Sequence, residues 1–452
     1  MLNNRLQTLL LPLYMLLWLV LSVYMGQHHE PFADEAQGWL IARDTTFSEL
    51  FFSVLRKEGH PFLWYLWLKL LLFLGLPYSK VYLASLIPQA AGVTLFLKKA
   101  PFPLWARLAF ASTYFIFYQY NIVARSYSLM LFFFVLTALL WQKREKHPLA
   151  YTIVLMFLGS ISVHTFLLSV GLFVLFMPQA KTKEKLLFAT FVALLVCLLF
   201  PDMTTNSYIK HFTGNMFVTL VHTMSLTTCG LITVAGFYED IFCAAFGIFY
   251  FCLLMTELLG QYKKDFAFLL LPNLLFMAAV SYKPWHAGIL ILIIMLILWQ
   301  NHSQKISKTL LVYIILFFMV QIYWSIRAFV QEKNGAYSAA PAVHDFLKQK
   351  NISIDETEFL SFNTTSLCPY DETNSCTYWD WCKYGFLKKV KPIVLPQSAK
   401  AVLTTWDRKT INKQLTSQGF VLKVFPSEHF FATRDMSTDE TIYLYYKESS
   451  NE

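Results

Sequence analysis

Charge is scarce in this chain: Asp, Glu, Lys and Arg make up 14% of its 452 residues, against about a quarter in soluble domains. That scarcity excludes an ordinary soluble protein, and 56% hydrophobic residues place most of the chain in lipid. Glycine is also sparse, with 16 residues. None forms a Walker or dinucleotide Gly-rich pattern, so no nucleotide site is expected. The seven cysteines include no zinc-type pair. Four of them (Cys197, Cys229, Cys243, Cys252) stand in apolar surroundings, and Cys368, Cys376 and Cys382 in a polar tail could form one disulfide with a thiol left over, the pair unassigned.

Aromatic residues are plentiful: 42 Phe, 24 Tyr and 12 Trp suit lipid-facing packing and interfacial belts. The net charge of +9 comes wholly from the first 330 residues, because the remainder holds 14 basic against 15 acidic residues. These basic residues cluster in short loops, at Lys98-Lys99, Lys143-Arg144, Lys181 to Lys185 and Lys263-Lys264, which is the positive-inside pattern. No nucleic-acid partner is needed to explain them.

Apolar runs occur near 5–25, 61–77, 80–98, 104–121, 126–142, 149–163, 165–178, 185–200, 240–258, 265–281, 287–300 and 308–326. The first follows Arg5, lacks a small-residue cleavage site and reads as a retained anchor. If all twelve crossed, two basic loops would fall outside. The run 61–77, short and interrupted by Lys69, is the one expected to lie in the outer leaflet. The expected fold class is therefore an all-α polytopic membrane protein with about eleven transmembrane helices, an interfacial helical first outer loop and a small C-terminal extracytoplasmic α/β domain. The division is 1–330, the membrane part, and 331–452, the tail, with a cytoplasmic N-terminus. Thr46 and Glu49 form a capping-box pattern ahead of an amphipathic surface helix with Phe47, Leu50, Phe51, Val54 and Leu55 on its apolar face. In the tail, a helix is expected over 342–350 and strands over 358–362, 401–404, 420–425 and 441–446.

Chemistry is expected on the outer loops. Asp34-Glu35 follows the first run at the water–lipid boundary, where a carboxylate can serve as general base; Asp34 with Gln37 is equally a helix-capping pattern, and the two roles are compatible. Glu58-Gly59-His60-Pro61 opens the non-crossing helix. His60 there could face a phosphate, or the segment is simply a helix start with Pro in its first turn. Arg125, in Asn121 to Ser128 with Tyr127, is a cation against the charge bias that calls for a phosphate or for Asp34, or else snorkels to headgroups. Lys283 and His286 form a further basic pair, and His164 completes an electropositive pocket or is a buried, satisfied histidine.

Asp34-Glu35 after the first span, Gly59-His60-Pro61, and Ala124-Arg125-Ser126-Tyr127 between two later spans together resemble the C-type integral-membrane glycosyltransferases. The likeness is to bacterial relatives of dolichyl-phosphate-mannose protein mannosyltransferases and of lipid A aminoarabinose transferases, over roughly residues 5–330. The resemblance implies transfer of a sugar from a polyprenyl-phosphate donor to a glycan, lipid or protein acceptor at the outer face of the inner membrane. Asp34, with Glu35 beside it, would be the catalytic or acceptor-orienting acid; His60, Arg125, Tyr127, Lys283, His286 and His164 would hold the lipid phosphate. Where relatives place Lys-Pro-Pro or a related Pro-containing motif this chain has His60-Pro61-Phe62, and Gln37 stands where some have Arg. Some of the superfamily use a divalent ion; Asp34-Glu35 lacks a spaced Asp-x-Asp arrangement, so no obligatory metal or other cofactor is expected. Two rivals remain. A transporter or flippase would use charges within spans, such as Glu257, and a polysaccharide polymerase or ligase with a lipid-pyrophosphate donor would need paired Arg in the loop 201–239, which has none.

Overall fold

The computed structural model describes residues 4–200, 241–279, 284–370, 398–405, 409–428 and 437–448. Helices dominate: long apolar runs satisfy their own backbone groups only when helical. Helix α1 (Asn4–His28) leads into α2 (Ala33–Asp44). Three short helical segments, Phe47–Glu49, Leu50–Val54 and Leu55–Glu58, follow, then α3 (Leu63–Phe73). Next come α4 (Tyr82–Lys99), α5 (Leu104–Ala111), α6 (Met130–Trp141), α7 (Pro148–Gly159) and α8 (Val163–Phe176). The helical part closes with α9 (Thr182–Leu199), α10 (Ile241–Gln261), α11 (Leu271–Ala279), α12 (Ala287–Gln300) and α13 (Lys308–Asn334).

Among the described residues three stretches are long and apolar enough to cross a membrane: Leu9–His28, Tyr78–Lys99 and Lys308–Asn334. Of the other expected crossings, α9 and α10 have 18 and 21 residues, and the rest are shorter or interrupted. The run 104–121 divides into α5 and a π-helical turn, Phe115–Gln119, and 265–281 begins with another, Phe266–Leu270. Helix α3 has 11 residues, about 16 Å at 1.5 Å per residue, too short for a hydrocarbon core of about 30 Å. Its Lys69 donates from Nζ to the carbonyls of Ala42, at 2.8 Å, and Thr45. The charge that interrupts the run therefore caps the C-terminal end of α2.

The capping box at Thr46 and Glu49 is formed: Glu49 accepts from the Thr46 N–H at 2.8 Å, and the Glu49 N–H donates to Thr46 Oγ1 at 3.2 Å. Leu50, Val54 and Leu55 are buried, and Phe47 and Phe52 are exposed. Gly59 ends this stretch with φ +67°, a left-handed conformation that glycine adopts without strain.

The tail is a helix and a mixed sheet. Helix α14 (Ala340–Gln349) precedes β1 (Thr357–Phe359), β2 (Ala401–Thr404), β3 (Val421–Ser427) and β4 (Ser437–Tyr446). The sheet order is β1-β2-β4-β3; β1 and β2 run parallel, and β4 is antiparallel to both neighbours, with Val402 facing Tyr445 and Leu422 facing the same residue. Helix α15 (Lys409–Thr416), which the strand pattern does not announce, packs Ile411 and Leu415 on Val402 and Tyr445. The polar stretch after β1 begins as a 3-10 helix, Phe362–Tyr370. Cys368, within it, is buried and disulfide-bonded; Cys376 and Cys382 lie outside the described residues.

The tail is not a separate bead on the helical part. One cluster of buried apolar side chains runs from Trp18 to Tyr446, and the segment Phe362–Tyr370 lies against α2. The rings of Tyr78 and Tyr370 meet at 5.0 Å. The Tyr337 N–H donates to Glu30 at 2.9 Å, and Ser427 Oγ donates to the Tyr337 carbonyl at 2.6 Å, so the chain leaving α13 is fastened on both sides.

Candidate functional site

The start of α2 is set by Glu35, not by Asp34. Phe32 is the N-cap, and its N–H donates to Glu35 Oε2 at 3.1 Å, the back-bond of a capping box. Asp34 is thereby released from the capping role its spacing with Gln37 allows. Gln37 instead donates from Nε2 to both oxygens of buried Glu58, at 2.9 and 2.8 Å, which ties α2 to the loop carrying His60.

Asp34 and Glu35, adjacent in sequence, have opposite surroundings. Asp34 Oδ2 lies 3.3 Å from Arg125 Nη1, with the side chains 31% and 20% exposed, and the same nitrogen donates to the Asp34 carbonyl at 2.8 Å. Burial works against the Arg125 guanidinium, but Asp34, with Tyr127, Tyr65 and Glu58, holds its pKa above the ordinary value. Glu35 points inward. Its Oε1 accepts from the Ala124 N–H at 2.6 Å, and its Oε2 lies 2.9 Å from His29 Nε2. It joins α2 to the segment bearing Arg125 and leaves no oxygen for a substrate.

Behind Glu35 stands a network that the sequence did not reveal. His29 Nδ1 is 3.0 Å from Glu332 Oε1, and the Tyr118 hydroxyl donates to the same oxygen. Burial disfavours the His29 imidazolium, yet the carboxylates of Glu35 and Glu332 outweigh it and hold the pKa well above the ordinary value. Burial also pushes the Glu30 carboxyl up to about 7, against the N–H bond from Tyr337. Glu332 lies 303 positions from His29, and no local pattern could have linked them.

The histidines gather on the far side of Arg125. His60 follows Gly59, and the next helix is anchored where the Leu63 N–H donates to the Ser160 carbonyl at 3.0 Å. His60 Nδ1 has no hydrogen-bond partner among the described residues. Burial, then Arg125 and His164, push its pKa down to about 3, so the ring is neutral. Ser162 caps α8 by accepting the Thr165 N–H at 3.2 Å, which fixes His164 in the first turn. His164 Nδ1 lies 3.2 Å from Asn273 Oδ1, and its ring is 4.9 Å from that of His286. His286 is 6.2 Å from Tyr127. Gly288 is required beside it: a Cβ there would fall 2.4 Å from the Tyr120 hydroxyl, which donates to the Trp285 carbonyl at 2.6 Å.

Asp34, Arg125, Tyr127, His60, His164 and His286, drawn from five separate segments, are thus linked around one end of the bundle. Lys283 and the loop 201–239, with its Lys210, His211 and His222, lie outside the described residues. Glu257 does not join this cluster; it accepts from Ser307 Oγ at 2.8 Å and from Gln261 at 3.2 Å. Among the described residues no three His, Cys, Asp or Glu side chains come together as a metal-binding group. Comparison with protein-family models, with curated proteins and with solved structures finds no match.

Proposed function

We propose that this chain is a membrane-embedded glycosyltransferase that moves a sugar from a polyprenyl-phosphate donor to an acceptor hydroxyl on the non-cytoplasmic side. The observation that carries the reading is the Arg125–Asp34 contact at 3.3 Å beside the neutral His60 and the His164–His286 pair. A partly exposed carboxylate next to a guanidinium and several imidazoles is the set of groups that an inverting transfer from a lipid phosphate uses. Asp34 accepts or orients the acceptor proton. The acceptor oxygen bonds to the anomeric carbon as the carbon–phosphate oxygen bond breaks, and polyprenyl phosphate departs with the electron pair. Arg125 receives that charge through its planar fork, helped by His60, His286 and Lys283, while Tyr127 and His164 hold the His286 ring. Glu35 positions Asp34 and Arg125 relative to one another.

In the same reading the chain crosses the membrane eleven times, the basic loops face the cytoplasm, α3 lies in the outer leaflet and residues 331–452 form an extracytoplasmic platform. Cysteines placed at exposed Lys99 and Lys348 test the topology: an impermeant reagent added to intact cells labels only the second. Purified protein given radiolabelled polyprenyl-phosphate sugars and candidate acceptors tests the chemistry. Transfer is expected from the wild type and is lost by a factor on the order of 10²–10⁴ in Asp34→Asn; undiminished transfer by that variant removes the assignment.

A further inference from the structure

At the end of the bundle away from the polar cluster, α4, α5, α10, α12 and α13 line a half-open apolar cavity of about 170 Å³. Its wall includes Phe96, Phe110, Leu254, Met295, Leu310 and Phe317; among all the residues lining it, only Trp105 and Tyr313 carry a side-chain nitrogen or oxygen. Such a space rejects water and accepts hydrocarbon. The chain enters and leaves this wall through cations. Exposed Lys98 and Lys99 lie between the lining residues Phe96 and Phe102, while exposed Lys305 and Lys308 flank the lining residue Ile306 and precede Leu310. The acid nearest in sequence to the lining residue Leu254, Glu257, is engaged by Ser307 and Gln261.

We propose that this cavity is a binding site for one anionic phospholipid, with an acyl chain among Phe96, Met295 and Phe317 and the headgroup phosphate against Lys98, Lys99 and Lys308. The proposal rests on the reading that these helices lie in a membrane. A hydrocarbon slot whose lining segments carry adjoining exposed lysines matches a lipid whose two ends are apolar and negative, and basic pockets between membrane helices select anionic headgroups in this way. A neutral lipid would leave the lysines without a counter-charge. The site is separate from Asp34 and Arg125, so its occupant is structural or regulatory, not the sugar donor.

Delipidated full-length protein in detergent, titrated with phosphatidylglycerol or phosphatidylcholine and read by native mass spectrometry, tests this. The wild type is expected to retain one phosphatidylglycerol about tenfold more tightly than phosphatidylcholine. Ala106→Trp, at the half-buried rim, and Ile294→Phe each fill the cavity and should release both lipids. Lys98→Ala/Lys99→Ala/Lys308→Ala should keep binding but lose the preference. Equal affinity of the wild type for the two lipids, or filled variants that bind as the wild type does, overturns the proposal. Carbonate extraction of membranes separates the two readings: release of the wild type defeats membrane embedding itself, whereas retention together with either of those binding results defeats only the lipid site.

Discussion

Replacing Glu35 and Asp34 one at a time should separate two acids that the sequence presents as a pair. Glu35→Ala removes the acceptor for the Ala124 N–H at 2.6 Å and the Phe32 N–H at 3.1 Å, and one of the two carboxylates holding His29. All of these groups are buried, so the loss combines two orphaned N–H donors with a broken buried ion pair, about 3–5 kcal/mol. For a chain of this size that is a fall of about 5 °C or more in the unfolding midpoint. Asp34→Ala removes a partly exposed pair with Arg125, which costs under about 1 kcal/mol. The assay is thermal unfolding of both variants in one detergent, followed by sugar transfer at a temperature where both remain folded. Glu35→Ala should be the unstable variant and Asp34→Ala the stable, inactive one. A double substitution of Glu35 and His29 should be less harmful than the summed singles by about 0.5–3 kcal/mol. If Glu35→Ala melts with the wild type, or if Asp34→Ala melts lower than Glu35→Ala, the division of labour between the two acids is refuted.

Arg125→Lys keeps the charge but loses the planar fork; donor KM should rise by about tenfold or more, measured in steady-state transfer, with little change in melting. Gly59→Ala puts a side chain at φ +67° with nothing within 4 Å of its Cβ, so the cost is backbone strain of about 1–2 kcal/mol, and Gly59→Asn should recover part of it in the same melting assay. The Glu30 carboxyl, raised from 4.5 to about 7, favours folding while protonated, so its contribution is present below pH 4.5 and is lost as pH rises through 7. Glu30→Gln keeps an oxygen for the Tyr337 N–H and should flatten that fall; identical pH–melting curves for the variant and the wild type contradict it.

Much of this molecule was legible one segment at a time. The strand over 401–404 forms as its short β-rich run indicates, β3 and β4 fall within a few residues of their expected places, and the Thr46–Glu49 box closes, because each depends on neighbours within a turn or a strand. The run 61–77 holds a helix of 11 residues, Leu63–Phe73, with the interrupting Lys69 already visible in the chain. The π turns at Phe115–Gln119 and Phe266–Leu270 were not: a π turn leaves the apolar composition unchanged and is set by what packs beside it.

Residue order alone indicates that the chain is mostly apolar helix, that a small α/β unit follows it, and that acids and cations sit in a few polar loops. The packing of the helices sets which of two adjacent carboxylates faces inward, that Phe32 rather than Asp34 begins α2, and that His29 is held by a glutamate 303 positions away. The reason is range. Hydrophobic periodicity and capping act within about one turn of chain, whereas a buried charge is satisfied by whichever distant group the packing of helices brings within 3 Å.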